Sequence, residues 1–312
     1  MPAADSAEQA ASEPGDGSVV VRALAGKKNL SFYLRCLRSL LDHCADPIRL
    51  VIHEDGTFDD EAREQACETL GDYFTLLPRT EADERTFDAL RPHPHARKLR
   101  EESIWGVEFF DPLFADDSDP LSFYVDADVL FFRSFRDLFR RDVLDGKSIF
   151  LRDVVWHAYS LRPQHLLGPA SRSRAARGIT TAVVCWDKRL IDWDYVEWFL
   201  SKPEYRVIPE WTLPTLQAGL ALGANGHAVI PEQIVNAYPK AVLGPDAFAV
   251  HLLGSYREKW LPEAERAAEK AAKEEPSEPR SCRLEPCRPL GPLGLFLNQC
   301  KRKLNNRLGI LW

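Results

Sequence analysis

Short apolar runs alternate with helical periodicities between residues 19 and 77, and this alternation constrains the fold more than any other feature of the sequence. Short apolar runs are typical of strands, whereas leucines spaced three and four apart are typical of helices. Asn29 is predicted to cap the first helix, because asparagine is favoured at that position. The predicted order is a strand over 19–26, a helix over 30–41, a strand over 48–52, a helix over 59–70 and a strand over 73–77. Strands separated by crossover helices indicate an α/β fold with a parallel sheet.

The rest of the chain divides by composition into a body and a tail. Further strands are predicted over 121–125, 148–151, 179–186, 227–230 and 248–253, and helices over 96–110, 190–200 and 213–222. Residues 18–260 are therefore predicted to form one domain. Residues 1–17 are small and polar without aromatics and are predicted to be disordered. The predicted tail, 261–312, has a charged helix over 262–275, a Pro/Arg/Cys linker over 276–292 and a basic amphipathic helix over 295–312.

Composition argues against several classes of protein. The net charge of −7 argues against a nucleic-acid binder, which normally carries a basic excess. Seven cysteines without a CxxC pair do not indicate a disulfide scaffold, so a reducing cytoplasm is expected. The sequence has neither a secretory signal pattern nor a run of eighteen apolar residues. A cytoplasmic protein without a membrane anchor is the expectation.

The most specific motif is an apolar strand that ends in Asp126-Ala127-Asp128. Residues two apart on a strand point to the same face, and the carboxyl end of a strand is where open α/β sheets bind ligands. Two converging carboxylates repel each other unless a cation lies between them. Carboxylate oxygens suit Mg²⁺ or Mn²⁺, which commonly keep positions for phosphate oxygens. The small side chain of Ala127 does not obstruct such an ion.

Three segments resemble GT-A-fold glycosyltransferases, most closely the retaining family 8 enzymes and the related DxD sugar-binding group. Residues 122–130, with Tyr124 before the two aspartates, resemble the Y-x-D-x-D segment. Residues 230–236 resemble the family's L-P-x-x-x-N segment, and residues 249–254 resemble its H-x-x-G segment. The resemblance implies a GT-A, Rossmann-like mixed sheet that is mostly parallel and flanked by helices, here with a C-terminal helical tail.

The resemblance also implies roles for individual residues. Asp126 would face the ribose and the metal, Asp128 would chelate the metal that bridges the donor diphosphate, and His251 would be the third protein ligand. A nitrogen ligand beside two carboxylates favours Mn²⁺, with Mg²⁺ as the alternative. Taken alone, a histidine between apolar residues is more often part of the core. The other donor-binding candidates are Gly254, Arg257, Lys259 and Lys98.

Those other candidates match the family less closely. Arg257 keeps the spacing of the family's lysine, while Lys259 keeps the residue type before a tryptophan, so either could hold a phosphate. Lys98 resembles a basic residue that contacts the donor, but a solvated lysine on a helix face fits it equally well. Thr180 and Ala182 stand where the family has Asn and Gly, so sugar contacts at this segment are not carried over.

The resulting hypothesis is transfer of a hexose from a nucleoside-diphosphate sugar, most simply a UDP-sugar, to a hydroxyl of a saccharide, lipid or protein acceptor. Retention of configuration is implied by the resemblance. An inverting enzyme would need a carboxylate base, for which Glu210 and Asp153 are the candidates. Trp156, Trp186 and Trp211 could stack on a sugar, although a buried core position is the preferred interpretation of Trp186.

Other interpretations stay open from sequence alone. A haloacid-dehalogenase-type phosphatase also has a strand followed by Asp-x-Asp, but it wants Thr or Val where Leu130 stands, and three strands precede Asp126 here. A non-catalytic nucleotide-sugar-binding relative is a second alternative. His93 and His95 have a spacing that can ligate metal, although a polar loop favours solvated side chains. The basic helix over 295–312 could contact the inner membrane face, or pack on its own domain or on a partner.

Overall fold

The structure of the protein is a computed structural model that describes residues 18–116, 118–154, 159–167, 172–254, 256–273 and 278–307. The predicted disorder of residues 1–17, the side chain of Trp156 and the last five residues of the tail lie outside the described residues. The strands are β1 Val19–Ala25, β2 Ile48–Glu54, β3 Phe74–Leu77, β4 Leu121–Val125, β5 Val129–Phe131, β6 Phe135–Arg136, β7 Ser148–Arg152, β8 Ile179–Asp187, β9 Gly226–Val229, β10 Ile234–Asn236, β11 Ala249–His251, β12 Arg280–Ser281 and β13 Leu284–Pro286. The α-helices are α1 Leu30–His43, α2 Asp60–Leu70, α3 Arg79–Ala89, α4 Pro94–Glu102, α5 Ile104–Phe114, α6 Arg141–Leu144, α7 Trp193–Leu200, α8 Pro209–Ala221, α9 Arg257–Lys273 and α10 Pro292–Arg307.

A central eight-stranded sheet runs in the order β13-β9-β7-β8-β4-β1-β2-β3. Strands β4, β1, β2 and β3 are parallel neighbours, and β7 and β9 are also parallel. Strand β8 runs antiparallel to both β4 and β7, and β13 runs antiparallel to β9. Every residue of β4 is buried, which agrees with helices on both faces of the sheet. The predicted α/β architecture with a mixed, mostly parallel sheet is confirmed.

A second, three-stranded sheet has the order β10-β11-β5 and lies beside the main one. The prediction that residues 248–253 complete the main sheet is wrong, because β11 pairs with β10 and β5 instead. The physical reason is the turn over 126–128, in which the Val129 amide donates to the Asp126 carbonyl, and which turns β5 away from β4. The rings of Phe131, Phe135 and Phe248 stack in a row and fix this small sheet to the core.

Several helices differ from the sequence prediction. The predicted helix over 96–110 is two helices, α4 and α5, because Ser103 has an extended backbone and its side chain accepts from the Trp105 amide. Helix α3 was not predicted, since its mostly polar sequence hides its apolar face. Asn29 lies at the N-cap of α1 but adopts the left-handed region with φ 64°, and its side chain makes no capping hydrogen bond.

The C-terminal segment contributes more to the fold than the predicted linker implies. Its strand β13 pairs with β9 at the edge of the main sheet, and β12 pairs with β6. The charged helix α9 begins at Arg257, before the predicted start. Helix α10 contacts the segment around Pro163–Leu166. Within the described parts of the chain, no helix is both long and apolar enough to cross a membrane.

Candidate metal centre and cleft

A cleft of about 410 Å³ opens where strand β4 ends. The turn over 126–128 forms part of its lining, since the chain leaves the main sheet there and enters β5 of the small sheet. Strand β11 brings His251 beside Val129 in antiparallel register, and the Leu252 amide donates to the Asp128 carbonyl at 2.9 Å. The junction of the two sheets therefore places three side chains that are distant in sequence next to one another.

Asp126, Asp128 and His251 form a compact set of ligand atoms that all lie within 4.8 Å of one another. The His251 Nε2 atom is 3.4 Å from Asp128 Oδ1 and 4.0 Å from Asp126 Oδ2. Among the described residues, no other group of three His, Cys, Asp or Glu side chains converges in this way. The sequence prediction named these three residues, and the fold brings them together.

A hydrogen bond fixes the orientation of the histidine ring. The His251 Nδ1 atom lies 2.8 Å from the Asn236 amide oxygen, which can only accept, so Nδ1 carries the proton and donates. Asn236 is held in turn because its amide nitrogen donates to the Arg152 carbonyl at 3.2 Å. When the ring is neutral, it therefore presents the Nε2 lone pair to the aspartates, the arrangement that a metal ligand requires.

Burial and mutual charge shift the pKa values of all three groups. Burial, and then the neighbouring charge of Asp128, raises the pKa of Asp126 to about 7. Burial also opposes ionisation of Asp128, but the charge of His251 and then that of Arg257 outweigh it and lower the Asp128 pKa. For His251, burial opposes the charged form, yet the Asp128 carboxylate outweighs it and raises the pKa. The shifts therefore favour the protonated forms of Asp126 and His251 and the ionised form of Asp128.

The residues of this centre fit a divalent cation. Asp128 Oδ1 is buried and faces His251 Nε2 at 3.4 Å, so while that ring is neutral the oxygen accepts no hydrogen bond, which is a costly state for a carboxylate oxygen. A cation would satisfy that atom and remove the repulsion between the two carboxylates. Two carboxylates and one imidazole match the ligand preferences of Mn²⁺, and Mg²⁺ accepts the same carboxylates.

Arg257 is the cation that the fold places against this centre. Its Nη2 atom lies 3.0 Å from Asp128 Oδ2, and its guanidinium packs over the rings of Phe32 at 4.4 Å and Tyr33 at 5.4 Å from the ring centroids. The side chain is 18% exposed and lines the cleft. An arginine stacked and oriented in this way is suited to bind phosphate.

The remaining predicted donor-binding and catalytic candidates are spread over several places. Gly254 and Glu210 line the cleft. Lys98 lies in a separate depression on α4, 3.7 Å from Glu102, and Lys259 is exposed on α9; neither is among the described residues that line the cleft. Asp153 is buried outside the cleft and accepts a 2.9 Å hydrogen bond from the Tyr238 hydroxyl.

The aromatic and histidine candidates have structural surroundings. Trp186 is buried in the core against Phe109 and Phe150, as its preferred interpretation held. Trp211 is covered by the Arg302 guanidinium at 4.2 Å and does not line the cleft. His93 is not a solvated loop residue, because it stacks on Trp193 with ring centroids 4.5 Å apart. With His95 it joins no converging set of metal-ligating side chains in the described chain.

Sequence reasoning missed Glu108, an acidic residue on α5 that lines the cleft and is only 9% exposed. Burial, and then the charge of Asp126, raises its pKa well above the usual range, and the Thr181 hydroxyl hydrogen-bonds its carboxyl. The available signal was an acid within the apolar run Ile-Trp-Gly-Val-Glu-Phe-Phe, where a buried charge is costly without a functional or structural reason.

Comparison with known proteins supports the fold. No protein-family model and no curated protein matches the chain. The solved structure of the galactosyltransferase LgtC with donor and acceptor sugar analogues is similar over 81% of this chain and 95% of that one, with 14% identity and a TM-score of 0.51. Mouse xyloside xylosyltransferase 1 is similar over 75% of this chain and 97% of that one, with 11% identity and a TM-score of 0.50. The chain has the GT-A fold that these glycosyltransferases share.

Proposed function

We propose that the protein is a metal-dependent glycosyltransferase that moves a hexose from a nucleoside-diphosphate sugar, most simply a UDP-sugar, to an acceptor hydroxyl. The observation that carries this proposal is the convergence of Asp126, Asp128 and His251 at the end of β4 in a GT-A fold. The unsatisfied Asp128 oxygen adds to it, because a ligand or cation is the simplest partner for that atom.

The proposed division of labour follows from the charges in the cleft. Asp126, Asp128 and His251 would hold Mn²⁺, or Mg²⁺ as the alternative, and Asn236 would keep the histidine in the correct tautomer. The metal would supply positive charge to stabilise the departing diphosphate. Arg257 lies close enough to Asp128 to bind an oxygen of the same diphosphate, and Gly254 offers a backbone without a side chain beside it.

Retention of configuration remains the proposal, with Glu210 as the residue to test for the alternative. Glu210 lies at the start of α8 and lines the cleft, so it could reach an acceptor hydroxyl. Asp153 accepts its hydrogen bond from Tyr238 outside the cleft and is less suited to act as a base. The proposed acceptor group is a hydroxyl of a saccharide, a lipid or a protein.

The central test is binding of nucleotide sugars with and without Mn²⁺, followed by thermal unfolding. We expect at least one UDP-sugar to raise the Tm of the wild type in Mn²⁺ only, and Asp128→Asn to abolish that shift. The matched control is Asp42→Asn, which removes an exposed aspartate that pairs with Arg38 on α1. If no nucleotide sugar stabilises the wild type, the proposed function is wrong.

Turnover separates the enzyme from its alternatives. Release of UDP from a UDP-sugar in Mn²⁺ is expected, and its loss in Asp128→Asn would assign the reaction to the metal centre. Binding without turnover on any acceptor would instead favour a non-catalytic nucleotide-sugar-binding protein. Hydrolysis of simple phosphate monoesters would favour the phosphatase alternative, which the three strands that precede β4 in the chain argue against.

We also propose peripheral contact with the inner membrane face through α10, which implies a cytoplasmic location. Helix α10 is attached to the body by its buried Leu295 and by Gln299, which donates to the Leu161 carbonyl. Its outer residues are apolar or basic and exposed: Leu293, Phe296, Leu297, Lys301, Lys303 and Leu304. An exposed apolar stripe with cations beside it fits the interface of an anionic bilayer.

Sedimentation with vesicles tests this contact in the full chain. Wild type should bind phosphatidylserine-containing vesicles better than neutral ones, and the double substitution Phe296→Ser with Leu297→Ser should weaken binding. The control is Val242→Ser, which alters an exposed valine in a different region of the surface. Equal binding by the double variant and the wild type would contradict the membrane contact.

A further inference from the structure

The Glu108 carboxyl is buried in the cleft, and one of its two oxygen atoms has no hydrogen-bond partner. The residue is 9% exposed, and its Oε1 atom is buried and has no hydrogen-bond partner. The carboxyl is held by the hydroxyl of Thr181 on β8, which lines the cleft too. Buried polar atoms without a partner are uncommon in folded proteins, and within a ligand cleft the ligand is the natural partner.

The charges around Glu108 limit what that ligand group can be. Its most strongly acting charged neighbours are Asp126 and Asp128, both acids. A phosphate oxygen can only accept and would pair with Glu108 only in its protonated form, whereas a hydroxyl group can donate or accept and pairs with either form. The part of a nucleotide sugar that suits Glu108 is therefore the part rich in hydroxyl groups.

We propose that Glu108 determines specificity for the transferred sugar by hydrogen-bonding one of its ring hydroxyls through the free Oε1 atom. This proposal rests on the proposed function and adds the residue that recognises the sugar. A carboxyl of either protonation state can bind a hydroxyl group, because the ionised form accepts and the neutral form can also donate.

The expected consequence is a selective loss of affinity for the sugar-bearing ligand. A site that hydrogen-bonds a substrate hydroxyl discriminates against ligands that lack it, because its buried polar atom is then left unpaired. Removing one such bond should weaken binding of the nucleotide sugar roughly 10-fold to 100-fold. Binding of the nucleotide without its sugar should not change, since Glu108 would not touch that part.

The experiment compares UDP with the UDP-sugar that stabilises the wild type best, both in Mn²⁺, by calorimetric titration. The variants are Glu108→Leu, which removes the carboxyl, and Glu108→Gln, which keeps an acceptor and adds a donor. The matched control is Gln217→Leu, since the Gln217 Oε1 atom is also buried and unpartnered but does not line the cleft. We expect Glu108→Leu to lose affinity for the UDP-sugar alone, Glu108→Gln to change its ranking of epimeric UDP-sugars, and Gln217→Leu to do neither.

The outcomes separate this proposal from the proposed function. If the wild type binds no nucleotide, the glycosyltransferase assignment is at fault. If it binds both ligands and Glu108→Leu weakens UDP and the UDP-sugar equally, Glu108 supports the metal centre and the specificity proposal is wrong. Unchanged affinity for both ligands would overturn it as well. If a UDP-sugar that bears an ammonium group binds the wild type more tightly than its hydroxyl counterpart, the partner of Glu108 is the ammonium and the hydroxyl proposal is wrong.

Discussion

Replacing Asn236 tests whether the hydrogen bond to His251 prepares the metal centre. Both side chains are buried, at 3% and 5% exposure, and the bond between them is 2.8 Å long. In Asn236→Leu the ring loses the acceptor that fixes its tautomer, so Nε2 would no longer be held with its lone pair toward the aspartates. Loss of such an outer partner typically weakens metal binding about 10-fold to 100-fold. That corresponds to about 1.4 to 2.8 kcal/mol.

The assay is calorimetric titration with Mn²⁺ at pH 7.5, combined with thermal unfolding of the metal-free protein. Asn236→Asp is the matched variant, because it keeps an oxygen that accepts from Nδ1 while it loses the bond to the Arg152 carbonyl. We expect Asn236→Leu to show the full loss of affinity and Asn236→Asp to remain within a few-fold of the wild type. Equal affinities for wild type and Asn236→Leu would refute the reasoning, and so would an equal loss in both variants while both remain folded.

Three further outcomes are expected. Mn²⁺ affinity should rise as pH increases from 6 to 8. Asp126 has a pKa of about 7 and the pKa of His251 is raised, so at low pH both groups hold protons that the cation must displace. Titrations with Mn²⁺ at several pH values measure this, and an affinity that does not change with pH would contradict it. Arg257→Gln should bind Mn²⁺ alone somewhat more tightly, because a cation that competes for Asp128 is removed. The same variant should bind UDP in Mn²⁺ about 10-fold more weakly or worse. Calorimetry measures both affinities, and a change of both in the same direction would contradict the proposal that Arg257 binds phosphate. Gly106→Ala should lower the free energy of unfolding in urea by about 1 to 3 kcal/mol, because the added Cβ would collide with the backbone of α4. Gly244→Ala, where the space is open, should change the stability little. Equal stabilities of the two variants would show that α5 can shift to make room.

The parts of the fold that the sequence predicts well are those with strong local patterns. Strand β4 is a mostly apolar run that stops at two aspartates, so its position and the placement of those carboxylates at its end can be predicted directly. The alternation over β1, α1, β2, α2 and β3 is likewise local. Helix α3 escaped prediction because it is mostly polar and draws on side-chain ion pairs such as Arg79–Asp83, which leave no apolar periodicity.

The parts that were missed depend on contacts between distant segments. Assignment of β11 to a small sheet with β5 and β10 depends on pairing across more than a hundred residues, which no local pattern encodes. Strand β13 was hidden in a proline- and arginine-rich segment because it is a short edge strand. Glu108 was missed because its place in the cleft arises only when α5 packs beside the end of β4.

The division of the ligands between two sheets has a consequence for motion. Asp126 and Asp128 lie in the turn after β4 of the large sheet, whereas His251 lies in β11 of the small sheet. The distances between these three side chains therefore depend on how the two sheets pack together. A cation bound by all three side chains would oppose separation of the two sheets. It would therefore slow amide hydrogen exchange in β5, β10 and β11 more than in β1 or β2. Substitutions at the Phe131–Phe135–Phe248 stack, which does not line the cleft, should weaken the packing between the two sheets. We expect such variants to bind a wider range of ions at this centre.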